Sequence, residues 1–502
     1  MTPERSAIAA AVRALDPDDI AGRRWYAAKG ATPSSFSLAH AFALADDAVL
    51  ALVDVRTGEH DGRDEHADRY AIAFVGGTDG GWREAVEGDG AWRALAAAIA
   101  EGRTIAALTK DGLPPIGSSG SGAGQVGAAL VCRPSPGLAA LWPVSAGPLR
   151  AAAEAELGRD QSNTSVVLGD RLLLKGYRRI QPGLNPDLEL TAFLSEEAGF
   201  PGVPRLAGYA EVVTRDAGVP TVAMLQEFVA TAADAYEQTA EFLTDLVAAP
   251  GTASLEWATE VAADLGTLTA GLHAALASAP PDAPDLAPRE ATREELKAWR
   301  LDAHRQLSLA LPAVAAVDRE TADELREEAA AIAARVSRFE AVATTPLVMR
   351  IHADLHLGQI LVGEDGYRVI DFEGEPLRSI EDRRRPDSPL RDVASLLRSL
   401  DHVARSARRR AERRAIDAGG RLERPGLDVD AWIERARERF LAAYVAGLRQ
   451  AGAPFTVDRD LLDAFEVAKE SYEFVYAATV LPSWLWAPRE GMRWLLAHGE
   501  AG

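Results

Sequence analysis

Between residues 34 and about 76, apolar and polar positions alternate in three runs, FSLAHAFAL, AVLALVDV and YAIAFVGG, separated by Gly and Asp clusters. A period of two sends successive side chains to opposite faces, so this stretch predicts a small antiparallel sheet. A helix from about Gly90 to Ala100 is expected to pack on it. Further along, SVVLGDRLLLKGYR predicts a hairpin with Gly169 and Asp170 at the turn. LELTAFLSEEAG then predicts a helix, and GVPRLAGYAEVVTRDAGVPTVAMLQEFV further strands. From Ala235 onward, long periodic stretches rich in Ala, Leu, Glu and Arg predict a mainly helical second half, broken by one strand-rich interruption from Val348 to Glu373. The expected organisation is α+β: an N-terminal module over 1–105, a mixed lobe over 106–229 and a helical lobe over 230–502.

Composition narrows the partners. The 502 residues, 47% apolar and 26% charged, describe an ordinary globular protein with room for two or three domains. A formal charge of −21 repels phosphodiester backbones and anionic lipids, which argues against nucleic acid or membrane as main partner. The single cysteine, Cys132, excludes an intramolecular disulfide and a thiolate metal cage, and is expected to be a small buried hydrophobe. The first residues carry acids on both sides of a short amphipathic run, unlike a signal peptide, and no apolar stretch approaches the roughly 20 residues that cross a bilayer. Cytoplasm is the expected compartment, with a monomer or homodimer as the expected assembly. Two features admit sharper readings. GSSGSGAGQVGAA contains a formal GxGxxG at Gly122, Gly124 and Gly127, but lacks the strand before and the helix after that a dinucleotide turn requires. ARSARRRAERRA after Val403 could face RNA, yet the negative overall charge favours a solvated helix face or loop.

The interruption reads MRIHADLHLGQILVGEDGYRVIDFEG. Its runs QILV and YRVIDF flank a turn, so His352, Asp354, His356 and Gln359 converge with Asp371 and Glu373 where the hairpin opens. Phosphoryl transfer needs an acceptor for a hydroxyl proton and oxygen ligands for magnesium on a triphosphate. Asp354 suits the first task, and Gln359 with Asp371 the second, because magnesium takes hard oxygen donors. A zinc site from His352, Asp354 and His356 is the competing local reading. The plainer alternative has both histidines holding the loop through backbone hydrogen bonds. The kinase reading requires an upstream strand lysine, a phosphate-covering turn before it and a helical glutamate after it. Lys175 in LLLKGY, the polar turn Gln161, Ser162, Asn163 and Thr164, and Glu189 supply them. The chain has five lysines against forty-nine arginines, so a lysine in an apolar strand is less readily dismissed as a snorkelling side chain.

Together, RRWYAAKG from Arg23, QSNTSVVLGDRLLLKGYRRIQPGLNPDLE, AMLQEFV, IHADLHLGQIL and VIDFEGEP resemble the actinobacterial maltokinase-like family within the aminoglycoside phosphotransferase and eukaryotic-kinase-like superfamily. The likeness spans Arg23 to Leu496. It implies a bilobal kinase-like fold with an N-terminal α/β cap over 1–105, an ATP-binding lobe over 106–229 and a helical sugar-binding lobe over 230–502. It also implies Asp354 as base, Gln359 and Asp371 on magnesium, Lys175 on phosphate paired with Glu189, and Gln226, Glu227, Phe228 and Val229 as the adenine-facing hinge. The chain departs from the wider superfamily at Gln359, where asparagine is usual, and in its polar SNTS turn, which replaces a Gly-rich loop.

The end of the chain bears on the acceptor. YEFVYAATVLPSWL resembles maltokinases, but WAPREGMRWLL follows, with extra tryptophans at Trp486 and Trp494, in the C-terminal region where a glucosamine kinase branch of the family departs. An ammonium sugar needs carboxylates, for which Glu373, Glu375, Asp392, Glu466 and Glu473 are candidates, with His356 beside them. Trp484 or Trp486 can stack on a sugar ring or a cation, though a tryptophan there can equally anchor the core. Glucosamine is the expected acceptor, with maltose, an aminoglycoside, and an inactive nucleotide-binding scaffold as the alternatives.

Overall fold

The computed structural model describes residues 3–58, 66–77, 80–86, 88–109, 127–157, 163–214, 218–231, 233–249, 251, 253–283, 285–342, 344–375 and 379–498. The glycine-rich run from Gly117, with Gly122 and Gly124, lies outside them. The chain forms two compact units: Met1–Glu197 with Pro204–Ala230, and Ala198–Val203 with Thr231–Gly502.

In the first unit, helix α1 (Arg5–Arg13) precedes a four-stranded sheet of β1 (Pro33–Ala45), β2 (Ala48–Thr57), β3 (His66–Gly76) and β4 (Trp82–Glu84). Helix α2 (Ala91–Ala100) follows. A second sheet comprises β5 (Thr104–Ala106), β6 (Ala128–Pro134), β7 (Glu154–Glu156), β8 (Thr164–Leu168), β9 (Leu172–Gly176), β10 (Leu206–Thr214) and β11 (Thr221–Glu227), in spatial order 5-6-10-11-9-8-7. The alternation in β2 serves two cores at once. Val49, Ala51, Val53 and Val55 join Ile8 and Val12 of α1, while Leu50 and Leu52 join Leu95 and Ile99 of α2 and Leu174 and Leu225 of the second sheet. The N-terminal sheet therefore shares its core with the second one. Backbone bonds stitch the two as well: Ala71 N donates to Arg178 O at 2.8 Å, and Ile180 N to Arg69 O at 2.8 Å. The predicted turn has Gly169 at φ 58° and Asp170 at φ 54°, the left-handed pair that a twisted two-residue hairpin requires. Cys132 is buried, and burial pushes its thiol up to about 11, in keeping with an inert packing role.

Between β9 and β10 the chain forms α3 (Pro186–Ala192), started by Asn185, whose side chain accepts from Asp187 N, and by Pro186 in the first turn.

The second unit is helical: α4 (Ala235–Ala248), α5 (Glu260–Ala277), α6 (Arg293–Val317), α7 (Arg319–Val336), α8 (Pro389–Asp417), α9 (Val429–Ala451), α10 (Arg459–Val480) and α11 (Trp486–His498). Helices α5 and α9 approach so closely that a Cβ on Gly266 would stand 2.3 Å from Phe440 O. Helix α8 is the spine of the unit, buried along its first five turns and packed on α4, α9 and α10. The strand-rich interruption forms β12 (Ile360–Gly363) and β13 (Gly366–Val369), paired from Ile360↔Val369 to Gly363↔Gly366. The arginine-rich run on α8 faces acids. Arg410 pairs with Glu237 at 2.9 Å, Arg414 with Glu241 at 2.7 Å, and Arg409 with Glu490 at 2.7 Å, so these arginines lie on a helix face with acidic neighbours. Among the described residues no helix is long and apolar enough to cross a membrane.

Trp299, Phe339 and Phe465 form an aromatic cluster, with Phe465 centroids 5.1 and 4.8 Å from the other two, that seats α10 against α6. Phe465→Ala is expected to destabilise the unit by about 3–5 kcal/mol, checked as a fall in the denaturation midpoint.

Candidate active site

In the first unit Lys175 lies on β9 beside Met224 of β11 and Ser165 of β8, its side chain 13% exposed. Its ammonium meets Asp187 Oδ2 at 2.8 Å, and the Tyr177 hydroxyl donates to the same oxygen at 3.0 Å. Asp187 is thus a carboxylate at the strand lysine, two residues before the expected Glu189 on α3. Asp187 is fully buried at the start of the helix, where the exposed N–H groups favour a negative charge. Glu189 is half-buried on the same helix. Of the polar turn, Gln161 and Ser162 lie outside the described residues. Asn163 precedes β8, and Thr164 opens it, its hydroxyl accepting from Arg178 Nε at 2.6 Å. At the end of β11, Gln226 is buried, Glu227 accepts from Arg205 N at 3.2 Å, and Phe228 N donates to Arg171 O at 2.9 Å. Val229 follows, half-buried.

In the second unit the loop from Ile351 to Gln359 is shaped by one buried carboxylate. Asp392, in the first turn of α8, accepts from His352 N at 2.8 Å and from Ala353 N at 2.9 Å. Ala353 stands at φ 68°, a left-handed conformation that costs a non-glycine residue about 1–3 kcal/mol and persists where surrounding bonds dictate it. His273 Nε2 lies 3.3 Å from Asp392 Oδ2, and its Nδ1 lies 2.7 Å from the Tyr444 hydroxyl. Burial, with the charge of Asp392, pushes that hydroxyl well above its ordinary value, so it keeps its proton. His352 Nε2 donates to Ile370 O at 2.9 Å, and its Nδ1 accepts from Asp354 N at 3.3 Å. Both nitrogens are spent on the loop, which removes His352 from any zinc site. His356 Nδ1 accepts from Gly358 N at 3.1 Å, and burial lowers the imidazole below its ordinary value, leaving a neutral ring with Nε2–H free to donate.

This scaffold presents the Asp354 carboxylate, 21% exposed, to a cavity of about 350 Å³. His356, Lys469, Tyr472, Glu473, Arg398, His402 and Trp484 line the same space. Gln359 Nε2 donates to Asp371 Oδ2 at 3.3 Å, and Ile370 N donates to Gln359 O at 3.0 Å. Asp371 holds φ 67°, a second left-handed residue at the site. An amide and a carboxylate brought together are the hard-oxygen donors that magnesium prefers, so the pair fits that ion.

Three expected acceptor residues stand elsewhere. Asp392 is fully buried with both oxygens bonded inside the protein, so it shapes the loop and touches no ligand. Glu466 is buried between Arg398 (3.2 Å) and Arg437 (2.8 Å), which outweigh the upward pull of burial and hold its carboxyl below the usual range. No sugar ammonium can reach it. Trp486 is covered by the Arg409 guanidinium at 4.2 Å and meets Trp484 edge-on at 4.9 Å, as a support for Trp484 outside the cavity lining. Glu373 is half-buried, with Arg383 donating to its carbonyl at 2.9 Å. Glu375 is buried and lines a space of about 20 Å³, room for a single water. Glu473, His356 and Trp484 do face the cavity.

Sequence reasoning missed Lys469, Arg398 and His402. Arg398 Nη1 lies 3.2 Å and His402 Nε2 3.0 Å from Glu470 Oε1 beneath the cavity. Burial opposes a charge on His402, but Glu470 and Asp401 carry its imidazole above the ordinary value. The scarcity of lysine was the one available signal for Lys469.

A strand lysine held by a helix-start carboxylate in one unit, with an aspartate-bearing loop and a metal-fitting Gln/Asp pair in the other, is the equipment of a kinase-type phosphotransferase. Residues 154–455 match the phosphotransferase enzyme family, and the chain belongs to that family. It is 32% identical over 338 residues to a glucosamine kinase of Streptacidiphilus jiangxiensis, covering 66% of this chain and 70% of the relative. A glucosamine kinase of Mycolicibacterium smegmatis is 30% identical over 343 residues, covering 68% and 79%. A solved glucosamine kinase in complex with glucosamine, ADP and inorganic phosphate is 25% identical, covers 99% of this chain and 100% of that one, and superposes with a TM-score of 0.69.

Asp392→Ala orphans two buried N–H groups and releases Ala353 from its imposed conformation. The expected loss is about 3 kcal/mol of stability, read by denaturant titration, with a fall in kcat larger than any change in KM for ATP.

Proposed function

We propose that the chain transfers the γ-phosphate of ATP to a hydroxyl of glucosamine, yielding glucosamine 6-phosphate and ADP in the cytoplasm. The observation that carries this reading is the placement of Asp354, a half-buried carboxylate at a cavity that also offers Glu473 and the face of Trp484. The relatives named glucosamine kinase support the choice of sugar.

In this reading Asp354 takes the proton of the attacking hydroxyl as the new oxygen–phosphorus bond forms and the bond to the departing ADP breaks. His356 Nε2–H donates to a neighbouring sugar hydroxyl. Glu473 accepts the sugar ammonium, and Trp484 covers the ring. Lys175, with Asp187 fixing its ammonium, meets the nucleotide's phosphates, and Gln226 to Val229 lie along the adenine. Magnesium, held by Gln359 and Asp371, supplies charge neutralisation on the triphosphate when bound. Its removal by a chelator is expected to abolish turnover.

The test is detection of sugar phosphate by mass spectrometry with glucosamine, glucose, maltose and kanamycin side by side. Glucosamine is expected to give the highest kcat/KM, and Asp354→Asn to lower kcat by about 10³-fold with little change in KM. A clear preference for maltose overturns the acceptor assignment, and full turnover by the variant overturns the base.

A further inference from the structure

Lys469 was not among the expected site residues, yet its ammonium faces the proposed base. It stands on α10 one turn before Glu473, its side chain 14% exposed. The ammonium lies 3.1 Å from Glu473, 3.6 Å from Asp354 Oδ1 and 4.0 Å from Glu375, while the Tyr472 ring covers another side with its centroid at 4.8 Å. A lysine buried this deeply without partners tends to lose its proton. Here burial does pull downward, but Glu473, Asp354 and Glu375 outweigh it and hold the ammonium well above its ordinary value.

Three carboxylates meet around one enclosed point, where like charges repel one another at short range. Among the described residues, the other cations that line the adjoining spaces are engaged. From α8, Arg398 is bound to Glu466 and Glu470, and Arg391 to Asp387 at 2.7 Å. His402 is bound to Glu470. In the loop, His352 is bonded to the backbone at both nitrogens, and burial keeps His356 neutral. Tyr472 on α10 and Tyr236 on α4 are both pushed upward, first by burial, and remain neutral. Resting on the kinase reading above, we propose that Lys469 is a positioning residue: a permanent cation shared by Asp354, Glu375 and Glu473 that keeps the Asp354 carboxylate ionised and correctly aimed while two other acids crowd it.

The sign follows from the charges. Removing the cation leaves three acids facing one another, so the cluster takes up a proton at higher pH, and the base is silenced over the lower part of the pH range. The experiment is the pH dependence of kcat, with saturating ATP, magnesium and glucosamine, for the wild type, Lys469→Met and Lys469→Arg. Lys469→Met is expected to move the acid limb up by about one pH unit, so that its kcat falls about tenfold below its own plateau near the wild-type limb and recovers as pH rises. Lys469→Arg keeps the wild-type limb. Should the methionine variant not fold, Lys469→Gln, whose amide still donates to Glu473, shows the same displacement. A charge-removing variant with the limb unmoved and kcat lowered equally at every pH overturns the proposal, as does an arginine variant displaced as far as the methionine one. A wild type that phosphorylates none of the sugars removes the kinase reading itself, and this inference with it.

Discussion

The second unit depends on a carboxylate that never meets a ligand. Asp392 sits where the first turn of α8 favours negative charge, and it spends that charge on two consecutive N–H groups of the loop opposite. Without it, nothing in the local sequence would keep Ala353 left-handed, and the aspartate that follows would aim elsewhere. The arrangement extends inward through His273 to Tyr444 on α9, so the loop's shape is tied to the packing of three helices. The loop that carries the proposed base is thereby given the rigidity of the helical core.

Around the cavity, charge is concentrated rather than avoided. Arg398, Glu466, Glu470, Asp401, Arg405 and Arg437 form a buried network in which each ion has partners of opposite sign. Replacing such a network by apolar side chains is often neutral or favourable for stability. Its presence under the cavity is consistent with preorganised electrostatics for a polar acceptor, and it leaves Arg398 and His402 as fixed features of the floor rather than mobile side chains.

Much of the fold was legible in the chain because period and turn chemistry agreed. The three alternating runs became β1 to β3, Gly169 and Asp170 took the left-handed turn, and the hairpin after Gln359 paired as its pattern implied. The pairing of Gln359 with Asp371 was legible for the same reason: the two lie close in sequence, so a hairpin suffices to bring them together. What stayed hidden were contacts made across long separations. Asp392 and Glu466 are acids on helices whose direction of facing only tertiary packing decides, and both turned inward. Asp187, which meets Lys175, precedes the expected Glu189 by two residues on the same helix, a contact that composition does not encode. Lys469 reaches Asp354 across more than a hundred residues of chain.

The shared strand β2 has a consequence for where this enzyme begins. The match to the phosphotransferase family model starts only at residue 154, which invites treating everything before it as an accessory. Yet Leu50 and Leu52 fill the same core as Leu174 and Leu225, on the strand that carries Lys175 and its neighbour. A chain trimmed to that match would lay bare the underside of the sheet that carries Lys175. The first hundred residues can therefore be reshaped only by repacking the core beneath the strand that carries Lys175.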